Sequence, residues 1–196
     1  MNYIALDIGN VCVKLNHAEV FGRFGVSTDS PMVAQFKEKL RDFEFGKISG
    51  EAFFDRLSAI PEAAAFSRQE LRKAFDDLLA APVDGMEQLF EEFPAMGIAP
   101  AYLSDISTLH LKRSYDLFPR MADYTGIYSF DTGVYKPDIK MFQAYEARFG
   151  KPLLYTDDRA DLIEAAQKYG WNAEVFTSAE NLKNSLIHFL QTNKGE

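Results

Sequence analysis

Asp7, Ser104, Asp105, Lys136, Asp157 and Asp158 are the side chains of this 196-residue chain whose type and setting could do chemistry. Carboxylates attack electrophiles, hold hard cations or carry protons, and a lysine among them neutralises the charge they accumulate. Asp7 closes the apolar run Tyr3-Ile4-Ala5-Leu6 and is followed by Ile8-Gly9-Asn10-Val11, where the Gly-Asn pair favours a tight turn. Ser104-Asp105 follows an apolar run at 98–103, Asp157-Asp158 follows another at 153–156, and Lys136-Pro137 precedes a helical stretch. Taken singly, each has a plain structural reading. Asp7 is then a polar turn, Ser104 and Asp158 cap their helices, and Lys136 is a surface residue in an X-Pro turn. Taken together, they stand at the ends of strands that in a parallel sheet share one edge, where diverging loops open a cleft.

The elements that must position them follow from periodicity. Residues 14–82 read almost wholly helical, with apolar residues three and four apart in 34–45 and 51–57 and breaks at 27–31, 46–50 and 60–61. Ser67 is an N-cap for a helix from Arg68 to Leu79, and Ser49-Gly50-Glu51 starts another. From Pro82 onward helices and strands alternate. Helices are expected at 84–93, 108–117, 138–149, 160–169 and 179–191, and strands at 98–103, 153–156 and 173–176, with a short strand or loop at 124–130. The helix at 138–149 is expected to bury Ile139, Phe142 and Tyr145 on one face. Strands separated by helices imply parallel βαβ units, hence an α/β, three-layer, doubly wound Rossmann-like domain with an inserted all-helical cap. The division is 1–14 with 83–196 for the core and 15–82 for the cap.

Composition narrows the partners. Twenty-nine acidic against 21 basic residues give a formal charge of −8, which repels nucleic-acid phosphates and anionic membranes. No apolar run approaches the roughly 18 residues of a membrane span, and the N-terminus lacks the pattern of a secretory leader, so a cytoplasmic protein is expected. A single cysteine, Cys12, excludes an intramolecular disulfide, and His17, His110 and His188 form no zinc spacing. Seventeen Phe and nine Tyr point to aromatic packing, so Phe21, Phe24, Phe43 and Phe45 are expected to pack rather than to recognise a ligand. Lys37, Lys39, Arg41 and Lys47 are expected to form a solvated face. Scattered apolar residues leave monomer and homodimer both open.

In these residues the chain resembles the haloacid dehalogenase (HAD) superfamily, in the subfamily with a helical cap inserted after the first strand. Asp7-Ile8-Gly9-Asn10-Val11 is similar to that family's first motif, Leu103-Ser104 to its second, Lys136-Pro137 to its third and Tyr155-Thr156-Asp157-Asp158 to its fourth. The Asp-x-Gly-Asn-Val variant looks most like the branch that includes sugar-phosphate phosphatases such as α-glucose-1-phosphate phosphatase. The resemblance implies a phosphatase of a small phosphorylated metabolite, with Asp7 as nucleophile and an aspartyl-phosphate intermediate. It implies Mg²⁺ held by Asp7, the Gly9 carbonyl and Asp158, with Asp157 ligating through water or supporting from behind. Lys136 would neutralise charge, and Ser104, Asn10, Asp105 and the backbone after Asp7 would line the phosphoryl site.

Two departures qualify that expectation. The family's commonest form places a second Asp, the general acid and base, two residues after the nucleophile; here Gly9 stands there, as it does in the branch named above. Asp105 occupies a position where many relatives carry Asn, and as the neighbour of Ser104 it is a candidate substitute proton carrier. Two other readings compete. One is carbon–halogen hydrolysis, against which the Asp157-Asp158 pair argues, since adjacent acids in one cleft call for a cation. The other is a non-catalytic binding or regulatory protein that keeps the fold.

Overall fold

A computed structural model describes residues 2–192. The elements run, in chain order, β1 (Asn2–Leu6), β2 (Val13–Leu15), α1 (His17–Arg23), α2 (Pro31–Glu44), α3 (Gly50–Ser58), α4 (Arg68–Asp77), β3 (Leu79–Pro82), α5 (Met86–Glu92) and β4 (Ile98–Ser104). They continue with α6 (Thr108–Leu117), β5 (Gly126–Tyr128), α7 (Ser129–Thr132), α8 (Ile139–Phe149), β6 (Tyr155–Asp157), α9 (Ala160–Tyr169), β7 (Ala173–Val175) and α10 (Ala179–Thr192).

The main sheet has the order β5-β4-β1-β6-β7, and its neighbouring pairs are all parallel. β1 is central because its residues are buried on both faces. Ile4 and Leu6 point into a cluster with Phe90 of α5 and Leu182 of α10, whereas Ala5 meets Met141 and Tyr145 of α8 and Ile163 of α9. That alternation is the period-2 geometry of a strand, and it makes the sheet the middle of three layers. The chain leaves β1 for β4 and β5 on one side and later adds β6 and β7 on the other. The loops after β1 and β6 therefore diverge, which opens a crevice at the C-terminal ends of the strands.

Helices α1 to α4 enclose a separate apolar cluster built on Phe36 and Phe43 of α2, Phe53 and Phe54 of α3 and Phe75 of α4. Serines start three of these helices: Ser30 caps α2, Ser49 caps α3, and Ser67 with Glu70 forms a reciprocal capping box on α4.

Three expectations need correction. The segment 14–82 is not helical to its ends, because β2 and β3 pair antiparallel, Val13 opposite Pro82 and Leu15 opposite Leu79. Such a ribbon lets the chain leave and re-enter the sheet layer at one place while satisfying its backbone groups. Ile139 is 53% exposed, whereas Met141, Phe142 and Tyr145 are buried. As the first residue of α8 it has no preceding turn to cover, and Met141 takes its place in the core. The strand expected at 153–156 is β6, which begins later and includes Asp157, so this acid is a strand residue. Among the described residues no helix is long and apolar enough to cross a membrane.

Candidate active site

Asp7 follows β1 directly. Its backbone N–H donates to the Thr156 carbonyl at 3.1 Å, which ties the end of β1 to β6. The strand ends thereby bring the carboxylate oxygens of Asp7, Asp157 and Asp158 within 4.8 Å of one another. Lys136 arrives from the loop before α8, and its side chain is 2% exposed. Nζ lies 2.8 Å from Asp7 Oδ1 and 2.6 Å from Asp157 Oδ2. Burial acts to lower the Lys136 ammonium, but Asp7, Tyr155 and Asp157 outweigh it and hold the group well above the ordinary lysine value. For Asp7, burial pushes the carboxyl up, Lys136 pulls it down and Asp157 adds to the rise, leaving it at about 6.

The three acids differ in what holds them. Asp157 is fully buried and spends both oxygens inside the protein: Lys136 Nζ and the Tyr155 hydroxyl donate to Oδ2, and the Arg159 backbone N–H donates to Oδ1 at 3.0 Å. It braces the lysine. Asp158 is exposed, and its Oδ2 accepts from Asn10 Nδ2 at 2.8 Å. Asn10 also accepts the Leu15 N–H through Oδ1 at 3.0 Å, so its amide is committed at both ends, to Asp158 and to the start of the ribbon. It reaches both from a left-handed conformation with φ 53°, a region that Asn tolerates better than most residues.

Ser104 and Asp105 sit at the end of β4. The Ser104 hydroxyl is among the groups that stabilise the ionised Asp7 carboxyl. Asp105 Oδ1 accepts the Lys136 backbone N–H at 2.9 Å, so this carboxylate anchors the loop that delivers the lysine, while burial raises its own pKa. Cys12 is fully buried, with its thiol donating to the Asp7 carbonyl; burial, then the Asp7 charge, push it well above the usual thiol value. It is no nucleophile at neutral pH.

These groups floor a cavity of about 230 Å³ that Asp7, Gly9, Ser104, Asp105, Lys136 and Asp158 help to line. Cavities that take drug-sized ligands run to about 300–1,000 Å³, so this one suits a smaller molecule. Its upper wall is Leu15, His17, Leu40, Leu78 and Glu44. None of Lys37, Lys39, Arg41 or Lys47 lines it; Lys39 pairs with Glu38 and Lys47 with Asp42. Phe21, Phe24, Phe43 and Phe45 are packing residues, Phe24 against Phe66 and Phe45 against Tyr135. His110 is buried in the seam between the helical layer and the sheet layer, with Nε2 on the Phe75 carbonyl at 2.9 Å and its ring stacked on Phe75 at 3.8 Å. Tyr155 enters the sequence reading only as part of the fourth motif, and nothing in the sequence sets Tyr135 or Glu44 apart, because an isolated Tyr or Glu carries no spacing signal.

No family model matches the sequence, and no curated protein matches it. Solved structures do. A HAD family enzyme from Bacteroides thetaiotaomicron in its magnesium complex superposes with a TM-score of 0.74 at 20% identity, over 91% of this chain and 94% of that one. The chain has the HAD fold. A predicted HAD-like hydrolase from Porphyromonas gingivalis gives 0.70 at 21% identity, over 97% and 98%. L-2-haloacid dehalogenase from Xanthobacter autotrophicus, with chloropropionic acid covalently bound, gives 0.63 at 13%, over 96% and 83%. The HAD fold thus carries reaction at carbon in one neighbour, and another is solved as a complex with magnesium and inorganic phosphate.

The donor set fits a hard divalent cation. Three carboxylates against one lysine leave excess negative charge at one point, and carboxylate and carbonyl oxygens are the ligands that Mg²⁺ prefers. With Asp157 bound up by Lys136, Tyr155 and the Arg159 N–H, the oxygens left for direct ligation are those of Asp7 and Asp158.

Proposed function

We propose that the chain is a Mg²⁺-dependent HAD hydrolase acting as a phosphomonoesterase on a small phosphorylated metabolite, with a sugar phosphate as a candidate substrate. The observation that carries this reading is the placement of Asp7 at the end of β1, paired to Lys136 and within 4.8 Å of Asp157 and Asp158. Asp7, Asp158 and the Gly9 carbonyl would hold Mg²⁺, which would neutralise charge on the phosphoryl oxygens. Asp157 keeps Lys136 in place behind them.

Each of the residues gathered at this site then has a task. Asp7 forms a bond to phosphorus, which divides one displacement into two. Lys136, fixed by Asp157 and by its backbone bond to Asp105, keeps a positive charge beside the attacking oxygen without reorganising. Ser104 supplies a hydroxyl to the phosphoryl oxygens. The apolar wall of Leu15, Leu40 and Leu78 limits water and favours a compact leaving group. Reaction at carbon needs no cation, and the Asp158 carboxylate beside Asp7 speaks against it.

The test is a panel of phosphate esters, including p-nitrophenyl phosphate, assayed with and without Mg²⁺. The reading expects phosphate release that EDTA abolishes and that Asp7→Asn lacks. Release from no ester with any divalent ion would instead favour a binding protein on this fold.

A further inference from the structure

The proposed reaction leaves a proton unassigned. Gly9 has no side chain, and a Cβ built there would stand 3.1 Å from Leu15 Cδ1, so Leu15 fills the space toward which a side chain at position 9 would project. The proton must come from another wall. Among the described residues four carboxyls line the cavity: Asp7, Glu44, Asp105 and Asp158. Asp7 is paired to Lys136, Asp158 is held by Asn10, and Asp105 anchors the Lys136 backbone. Glu44 is the one that the helical layer contributes.

Its position is fixed. Glu44 ends α2, and the Tyr135 hydroxyl donates to Oε2 at 2.5 Å. Phe45 packs on the Tyr135 ring at 4.4 Å. Gly46 follows at φ 68°, so close to the sheet layer that a Cβ there would run into the Phe130 carbonyl oxygen. The end of α2 is therefore seated on the loop that delivers Lys136, with Glu44 facing the same cavity as Asp7. Among the described residues nothing hydrogen-bonds Oε1.

Resting on the phosphatase reading, we propose that Glu44 is the proton carrier of this site, acting from the cap in place of the second aspartate that Gly9 lacks. In the first step an Asp7 oxygen bonds to phosphorus, the bond from phosphorus to the ester oxygen breaks, and the Glu44 proton ends on the departing alcohol. In the second, water oxygen bonds to phosphorus, the bond to Asp7 breaks, and the water proton returns to Glu44. Ester and water become alcohol and phosphate, and both carboxyls recover their starting states.

The surroundings suit that cycle. Burial pushes the Glu44 carboxyl up, Tyr135 pulls it down and Asp105 adds to the rise, leaving it at about 7, near the value at which an acid and its base are both available at neutral pH. Tyr135 and Asp105, from the sheet layer, act on it directly, and Arg41, one turn back on α2, acts on Tyr135. Asp7, His17, His110, Lys136, Asp158 and Arg159 line the same cavity.

The experiment compares wild type, Glu44→Gln and Tyr135→Phe, with Mg²⁺, on p-nitrophenyl phosphate and on the alkyl phosphate that wild type hydrolyses fastest. The activated phenolate departs without a proton; an alkoxide does not. Glu44→Gln should lower kcat/KM on the alkyl ester by about 10²–10⁴-fold while the first-turnover burst of p-nitrophenolate keeps its rate. Because donation needs protonated Glu44, wild-type activity on the alkyl ester falls as pH rises through about 7. Tyr135→Phe removes a bond that favours the carboxylate and moves that limb to higher pH. Equal losses on both esters, no loss on the alkyl ester, or an unmoved limb in Tyr135→Phe would overturn the assignment. No turnover of either ester by wild type would instead remove the phosphatase reading, and the assignment with it.

Discussion

At the sheet's edge, three acids and a lysine are each held by particular partners: Asp157 by Lys136, Tyr155 and the Arg159 N–H, and Asp158 by Asn10. In the helical layer, Phe53 packs against Phe36, Phe43, Phe54 and Phe75 with centroid separations between 5.1 and 6.1 Å and no polar partner. The first region is specified atom by atom, because a buried charge without its partner is expensive. The second is specified by volume, since aromatic and aliphatic side chains of similar size can fill the same space. In a molecule assembled this way the helical layer can be repacked while the charged floor stays as it is.

The largest effect should fall on the floor. Asp7→Asn is expected to bring phosphate release to background in a Mg²⁺ assay while the protein stays folded; near wild-type turnover would erase the distinction between the regions. Lys136→Met leaves Asp7 and Asp157 facing one another without their cation, and should cost about 3–5 kcal/mol in urea unfolding at pH 7. Phe53→Ala should cost a similar 3–5 kcal/mol through the cavity it leaves. The contrast lies in the conservative changes: Phe53→Leu should cost under about 1.5 kcal/mol, far less than any loss of charge at Lys136.

A pH measurement sharpens the boundary between the regions. Burial holds His110 at about 4, below the 6.5 of an unfolded chain, so the unfolded state takes up its proton first as pH falls. Stability from this group is complete above 6.5 and is lost toward 4, on the order of 3 kcal/mol in all. Asp7 and Glu44 have raised values and contribute in the opposite sense, more strongly at lower pH. The group is therefore isolated by difference: in His110→Asn the fall in urea midpoint between pH 7 and 4.5 should shrink relative to wild type. An identical fall in both would place His110 outside the linkage.

Much of the floor could be read from the sequence because its residues stand at the ends of apolar runs. Asp7 directly follows a buried strand, Ser104 and Asp157 are the last residues of two others, and the parallel order brings those ends together. Helix limits at Thr108–Leu117 and Ala160–Tyr169 were equally legible, the first from apolar spacing and the second from Gly170 in the left-handed C-cap. The ribbon was not, since three- and four-residue strands such as Val13–Leu15 and Leu79–Pro82 are too short to show alternation. Glu44 was hidden for another reason. It is one of three acids in the polar stretch Lys37 to Glu44, and nothing in that order separates it from Glu38 or Asp42. Only the contact with Tyr135, 91 positions later, sets it apart.

If Asp7 is the nucleophile proposed above, it becomes covalently phosphorylated during turnover. Mixing the Mg²⁺-loaded protein with a turned-over ester, quenching in acid, reducing with borohydride and sequencing the peptides by mass spectrometry reads this directly. Reduction of an acyl-phosphate to the alcohol is expected at position 7 alone, and not in Asp7→Asn. Turnover of the ester with position 7 unmodified at every quench time would contradict it.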